Sequence, residues 1–208
     1  MSVKLQEVAP GDIEQESFNI IEKELGPTEF DPATFKIVQR VIHATGDFSF
    51  AENMRFAPGA IEAGIKALKA GKNILTDVNM VAAGINKTML ARFGGEVICK
   101  VADQEVARKA KEEGTTRSEM AISMYLDESI GIVAMGNAPT ALVASIKKVK
   151  EMSEPPLLVG VPVGFVNAAE SKALLVEQNN CYITSLGRKG GSPIAAAIIN
   201  AMMKLAAK

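Results

Sequence analysis

Five short apolar runs, spaced along the last two thirds of the chain, constrain its fold more strongly than any other feature. Each run has four or five residues, is rich in Ile, Val or Leu, and is bounded by turn residues. This pattern is typical of strands that are buried on both faces of a parallel sheet. The five runs are residues 73–76, 96–100, 131–135, 157–161 and 182–185.

Helical stretches lie between or after the later runs, which predicts right-handed crossovers and an α/β fold. They are residues 103–113, 118–127, 139–152, 166–177 and 192–206. The expected architecture is a mostly parallel sheet of about five strands flanked by helices. Three more helical stretches, the second opening at Asp31 and Pro32, precede residue 73, and no strand signal occurs there. We therefore expect an N-terminal helical layer. No repeat or linker divides residues 1–208, so a single α/β domain is predicted.

Composition excludes several classes of function. Lys and Arg number 23 against 24 Asp and Glu, and only 5% of residues are aromatic, which argues against binding to nucleic acid. Cys99 and Cys181 lack a metal-like spacing, so no metal site is predicted. The N-terminus does not resemble a signal or transit peptide, and no apolar run is long enough to span a membrane. These features predict a cytoplasmic protein.

Turn-rich segments follow four of the five predicted strands. In open α/β sheets ligands bind outside the carboxyl ends of the strands, and several of these segments also lead into helix N-termini, which favour anions. The segment 187–193 has two cations and three glycines but matches neither a P-loop nor a Gly-x-Gly-x-x-Gly motif. In any one of these loops the glycines and prolines could serve only to turn the chain. Four such loops at the same edge of one sheet, however, favour a binding site, and a large polyanionic ligand over a nucleotide. The segments are residues 77–79, 136–140, 162–167 and 187–193.

His43 is the only histidine, and the pattern places it at the end of a helix that stops before Gly46. The negative end of a helix dipole favours the imidazolium, and Asp47 would act in the same direction if it folded back. Arg40 lies three residues earlier, on the same face. The alternatives are a packed or surface histidine, and an Arg40 that forms a surface ion pair with Asp47 or Glu52.

Other candidate residues are less distinctive. Ser17 lies within the first helix and could simply face solvent, and Arg117 lies at the start of a later helix. A Ser-His-Asp triad would have to use His43, and the Gly-x-Ser-x-Gly motif is missing. The residues alone therefore do not define a nucleophilic enzyme.

Seven blocks of sequence together resemble the precorrin-8X methylmutase family, which includes the cobalt-precorrin-8 enzymes of cobalamin biosynthesis. The most distinctive are Arg-Val-Ile-His-Ala-Thr-Gly-Asp at residues 40–47 and Gly-Asn-Ala-Pro-Thr at residues 136–140. The others occupy residues 13–18, 56–60, 76–81, 155–166 and 187–192, and the resemblance covers nearly the whole chain.

The resemblance implies an isomerase that moves a methyl group from C-11 to C-12 of a corrinoid macrocycle, without a cofactor. It also implies an α/β homodimer with its active site near the subunit interface. The catalytic residue of the family corresponds to His43, and substrate contacts correspond to Ser17 and Arg40. We add Arg117 and Arg188 as further anchors for the carboxylates of the corrinoid substrate.

Two other classes of function stay open at this point. A carrier that binds a corrinoid intermediate without converting it would use the same anion-binding features, and only His43 argues for chemistry. A nucleotide- or phosphosugar-binding α/β enzyme is the third class, and the missing phosphate motifs argue against it. Whether the substrate already contains cobalt is likewise open.

Overall fold

A computed structural model describes residues 7–208. Its strands form one six-stranded sheet in which all neighbours are parallel except the pair at one edge. The strands are β1 (Met54–Phe56), β2 (Asn73–Thr76), β3 (Val97–Cys99), β4 (Ile130–Met135), β5 (Leu157–Gly160) and β6 (Tyr182–Ser185). They lie in the order β1-β6-β5-β4-β2-β3.

Helices flank the sheet on both faces. In the described part of the chain they are α1 (Ile13–Leu25), α2 (Pro32–Thr45), α3 (Ser49–Asn53), α4 (Ala60–Lys69), α5 (Asn79–Gly84), α6 (Lys87–Ala91), α7 (Gln104–Glu112), α8 (Arg117–Tyr125), α9 (Pro139–Lys148), α10 (Ala168–Val176) and α11 (Ser192–Ala206). A turn of 3₁₀ helix, Val149–Glu151, follows α9. The expected α/β class is confirmed, and all five predicted strands are present.

The central strands are apolar along their whole length because both of their faces are covered. Every residue of β4 is buried, and β4 pairs with β5 through Ile132 opposite Leu157 and Val133 opposite Leu158. A strand of this kind has no polar face, which explains why the sequence showed continuous apolar runs instead of alternation.

The expectation that no strand precedes residue 73 was wrong. Strand β1 pairs antiparallel with β6, with Met54 opposite Ser185 and Phe56 opposite Ile183. It has only three residues, and Arg55 at its centre is exposed. Such a short edge strand is defined by the backbone hydrogen bonds that β6 offers and has too few residues to show a periodic pattern.

The N-terminal helical layer is present and packs on α11. Helix α2 buries Ile37, Val38 and Val41 completely, and it lies between α1 and α11. The Asp31 carboxylate caps α2 by accepting hydrogen bonds from the N–H groups of residues 33 and 34 at 2.9 and 3.1 Å. Gly46, with a φ of 65°, ends the helix just after His43.

The strand order creates a switch point in the sheet. The chain passes from β2 to β3 on one side of β2, and then to β4 on the other side. A crevice at the carboxyl ends of two such strands is where open α/β sheets bind ligands.

Among residues 7–208 no helix is long and apolar enough to span a bilayer, and no cluster of His, Cys, Asp and Glu is arranged to hold a metal ion.

Candidate active site

The four turn-rich loops gather at the carboxyl edge of the sheet, as predicted. The loop after β5 donates from the Val163 N–H to the Gly136 carbonyl, at 3.4 Å, and from the Gly164 N–H to the Arg188 carbonyl, at 3.2 Å. The Gly191 N–H donates to the Val161 carbonyl at 2.8 Å. The loops after β4, β5 and β6 therefore form one continuous surface.

Asp77 joins the loop after β2 to the loop after β4. Its side chain is fully buried, and its two carboxylate oxygens accept hydrogen bonds from the N–H groups of Gly136, Asn137 and Ala138 at 3.2, 2.8 and 2.7 Å. Burial raises the pKa of Asp77, and the three N–H groups act in the opposite direction. Sequence reasoning did not select this aspartate, although a carboxylate directly after a buried strand was the available signal.

His43 lies at the carboxyl end of α2 and is exposed. Its ring packs edge to face on Phe18 of α1, with centroids 5.3 Å apart. The Arg40 guanidinium lies 4.6 Å from the centroid of the same phenylalanine ring. Phe18 thus holds both predicted residues on one helix face. Its neighbour Ser17 donates its hydroxyl to the Ile13 carbonyl at 2.9 Å, within α1.

Arg40 does not pair with Asp47 or Glu52, the two partners considered for it. Its guanidinium donates two hydrogen bonds to the Glu14 carboxylate, at 2.7 and 3.0 Å. Glu14 also accepts from Lys204 of α11 at 2.7 Å. The hydrogen bonds from Arg40 and then Lys204 lower the pKa of Glu14 to about 2.

Asp47 does not fold back on His43 either. Its carboxylate accepts from the Lys189 ammonium at 2.6 Å and from the Ser49 N–H at 3.0 Å. Lys189 belongs to the loop after β6, so this ion pair connects the end of α2 to the gathered loops. Residues 47 and 189 are far apart in sequence, and no local pattern indicates their pairing.

The ion pair between Asp47 and Lys189 should survive moderate acid. The hydrogen bond from Lys189 is the largest cause that lowers the pKa of Asp47 to about 2, from an ordinary value of 3.8. Because this carboxyl pKa is lowered by folding, the pair stabilises the protein above about pH 3.8, and the stabilisation is lost as the pH falls towards 2. We expect carboxyl titration followed by NMR to show this midpoint in the wild type. In Lys189→Met the midpoint should be higher but still below the ordinary value, because the hydrogen bonds from Ser49 also lower the pKa of Asp47. Equal midpoints in the two proteins would contradict the pairing.

Arg188 and Arg117 lie at different parts of the same edge. The exposed Arg188 guanidinium lies 5.5 Å from the ring centroid of Phe165, which is 84% exposed in the loop after β5. Arg117 begins α8, where the hydroxyls of Thr116 and Thr140 are 2.7 Å apart and tie α8 to the start of α9. Arg188 therefore lies on the loop that Lys189 connects to α2, against the loop after β5, and Arg117 lies beside the switch point.

A groove of about 330 Å³ lies between α8, α9 and α10 near their N-termini. Glu119 and Glu170 are among its lining residues, so it is unfavourable for a ligand that carries many carboxylates. The exposed cations Arg188 and Lys189 lie instead on the loop after β6. This charge distribution favours the surface between that loop and His43 as the anion-binding part of the edge.

Fold and site together define an open α/β protein that presents its one histidine and several cations where the loops gather. Residues 12–205 match the family model of precorrin-8X methylmutase (CbiC). A cobalt-precorrin-8 methylmutase of Priestia megaterium is 45% identical over 201 residues, which cover 96% of this chain and 89% of that protein. The chain belongs to the precorrin-8X methylmutase family.

Two further relatives agree with this assignment. A precorrin-8X methylmutase of Pseudomonas aeruginosa is 39% identical over 194 residues, covering 91% of this chain and 93% of that protein. The solved structure of a precorrin-8x methyl mutase from Thermus thermophilus superposes with a TM-score of 0.85 at 41% identity, covering 94% of this chain and 98% of that one. Relatives named with and without cobalt are therefore both similar in sequence to this chain.

Proposed function

We propose that this protein is an isomerase of cobalamin biosynthesis that moves a methyl group from C-11 to C-12 of precorrin-8X or cobalt-precorrin-8, giving hydrogenobyrinate or cobyrinate. The observation that supports it best is the family match across residues 12–205. In this reaction one carbon–carbon bond breaks at C-11 and one forms at C-12, so substrate and product contain the same atoms and electrons. The balance requires no external oxidant or reductant.

His43 is the general acid or hydrogen-bond donor in this proposal. An exposed imidazole at the end of α2, next to the gathered loops, can reach a ligand that lies across them. A proton or strong hydrogen bond given to the macrocycle makes the conjugated system electron-poor, which eases methyl migration. Holding the ring close to the geometry of the transition state supplies the remaining acceleration.

The carboxylates of the corrinoid bind to Arg40, Arg188 and Arg117, with Ser17 as a polar contact. The Arg40 guanidinium donates to Glu14, and a substrate carboxylate binds by taking the place of Glu14. Lys204 keeps Glu14 paired when this happens, since it already donates to the same carboxylate. This exchange lets Arg40 present a planar, bidentate donor without leaving an unpaired charge.

Replacing Arg40 by methionine should therefore weaken substrate binding more than catalysis. We expect KM to rise by about 10- to 100-fold, since a hydrogen bond to a charged group is worth about 1.5–3 kcal/mol. Arg108→Met is the matched control, because Arg108 also pairs with two carboxylates, Glu105 and Glu112, but on the solvent face of α7. Steady-state kinetics of both variants would measure the difference, and equal KM values would contradict the role of Arg40.

The active protein is a homodimer in the cytoplasm in this proposal. Three exposed apolar side chains beside the gathered loops, Met80 at 69%, Phe165 at 84% and Val166 at 79%, offer surface for a wide apolar ring and for a second subunit. Sedimentation should give about twice the chain mass of 22.1 kDa. A mass of one chain at micromolar concentration would contradict the dimer.

The direct test is visible absorption of the purified protein after incubation with precorrin-8 or cobalt-precorrin-8. Conversion identifies the methylmutase, and the preferred substrate shows whether cobalt is already bound. Tight binding without conversion would instead indicate a corrinoid carrier. No binding of either substrate would contradict the proposed function.

A further inference from the structure

Lys172 is a buried lysine that the proposed chemistry does not use. It lies in α10, its side chain has no exposed area, and its ammonium donates to the Lys189 carbonyl at 2.6 Å. Burial is the cause that lowers the pKa of Lys172 to about 8. Burying an ammonium costs free energy, so a position of this kind needs a strong hydrogen bond to offset the cost.

The carbonyl that accepts from Lys172 belongs to residues 187–191, which lie in the loop between β6 and α11. The Ser185 hydroxyl donates to the same carbonyl oxygen at 3.2 Å. Gly190 packs so closely that an added Cβ would lie 2.3 Å from the Val161 carbonyl oxygen. The backbone of this loop therefore packs directly on the protein interior, and its Lys189 carbonyl accepts hydrogen bonds from Lys172 and Ser185.

Lys189 is held at both of its ends. Its carbonyl accepts from Lys172, while its ammonium donates to Asp47 at 2.6 Å and to the Ser49 hydroxyl at 3.0 Å. Asp47 lies in the turn that follows His43. A line of hydrogen bonds thus runs from the interior of α10, through one loop residue, to the segment that carries the histidine.

We propose that Lys172 is a positioning residue, which fixes residues 187–191 so that Arg188 meets a substrate carboxylate at a set distance from His43, while Lys189 ties the loop to Asp47. This inference rests on the proposed function. Lys172 contacts only the backbone of this loop, at the Lys189 carbonyl, so it acts on the substrate through the position of Arg188.

The test is Lys172→Met, which keeps most of the apolar stem and removes the donor. Loss of one charge-assisted hydrogen bond corresponds to about a tenfold change, so we expect KM to rise about tenfold while kcat changes by less than about threefold. Ser185→Ala, which removes the weaker donor to the same carbonyl, should raise KM in the same direction by a smaller factor. It also tests the proposal if Lys172→Met fails to fold.

Lys72→Met is the matched control. The Lys72 ammonium also donates to a backbone carbonyl, that of Glu128 at 2.6 Å, but it lies just before β2, at the opposite end of the sheet. An unchanged KM in Lys172→Met, or the same rise in Lys72→Met, would overturn the inference.

Hydrogen exchange separates this inference from the proposed function. Two N–H groups report on the loop: that of Gly191, which donates to the Val161 carbonyl, and that of Gly164, which donates to the Arg188 carbonyl. Both should exchange faster in Lys172→Met than in the wild type or in Lys72→Met, with no substrate present. Unchanged exchange would overturn the inference even if the wild type converts corrinoids. Faster exchange in Lys172→Met, together with a wild type that does not convert corrinoids, would support the positioning role of Lys172 and count against the methylmutase activity.

Discussion

His43→Ala is expected to lower kcat by about 10²- to 10⁴-fold, which is the usual contribution of a positioned general acid. The imidazole is exposed and packs edge to face on Phe18, so its removal should leave the fold and the affinity for the corrinoid largely intact. Turnover followed by visible absorption, together with equilibrium binding of the substrate, would measure both quantities. Full turnover in this variant would contradict the role of His43.

His43→Gln distinguishes the two forms of assistance that His43 can give. Glutamine keeps an N–H donor but does not titrate near neutral pH. If a hydrogen bond is sufficient, His43→Gln should retain much more activity than His43→Ala, and its rate should not depend on pH near neutrality. If a proton is transferred, the two variants should be similarly impaired.

Asp77→Ala is expected to lower the free energy of unfolding by about 2–6 kcal/mol, because it leaves the buried N–H groups of Gly136 and Ala138 without an acceptor, at about 1–3 kcal/mol each. Urea denaturation would measure the loss. The same variant should weaken substrate binding, since the loop after β4 is held to the loop after β2 by this carboxylate.

Two variants serve as controls for Asp77. Asp103 also accepts from two backbone N–H groups, but at the N-terminus of α7, so Asp103→Ala should cost only about 1 kcal/mol. Asp77→Asn keeps an acceptor oxygen and avoids the burial of a charge, which raises the pKa of the aspartate. It should therefore lose less stability than Asp77→Ala. A loss in Asp77→Ala no greater than in Asp103→Ala would contradict the structural role of Asp77.

The sequence predicted the parts of this fold that depend on local patterns. The strands at residues 73–76 and 182–185 have the predicted bounds, because turn residues lie close to both ends of each. Strand β1 was not predicted, because its three residues contain no Ile, Val or Leu and have the charged Arg55 at their centre. The short helices α3, α5 and α6 were not predicted, because five or six residues are too few to establish a helical period. Their conformation depends on neighbours that are distant in sequence.

For the candidate site too, the features that depend on local patterns were predicted, and the contacts between distant elements were not. That the loops gather follows from the common direction of parallel strands, and that Arg40 and His43 share a face follows from helical spacing. The pairing of Arg40 with Glu14, and of Asp47 with Lys189, was not predicted. These partners lie on different elements, and only the packing of α1 on α2, and of the loop after β6 on the end of α2, brings them together.

Helix α11 has a consequence for how the chain folds during synthesis. It is buried on almost every side and packs against α2, α4 and α5, all of which precede it by many residues. At translation rates of about 5–20 residues per second, α2 waits roughly 7–30 s before its partner helix is made. The apolar face of α2 is uncovered during this interval, so the nascent chain should be most prone to aggregation, and most dependent on chaperones, until α11 leaves the ribosome.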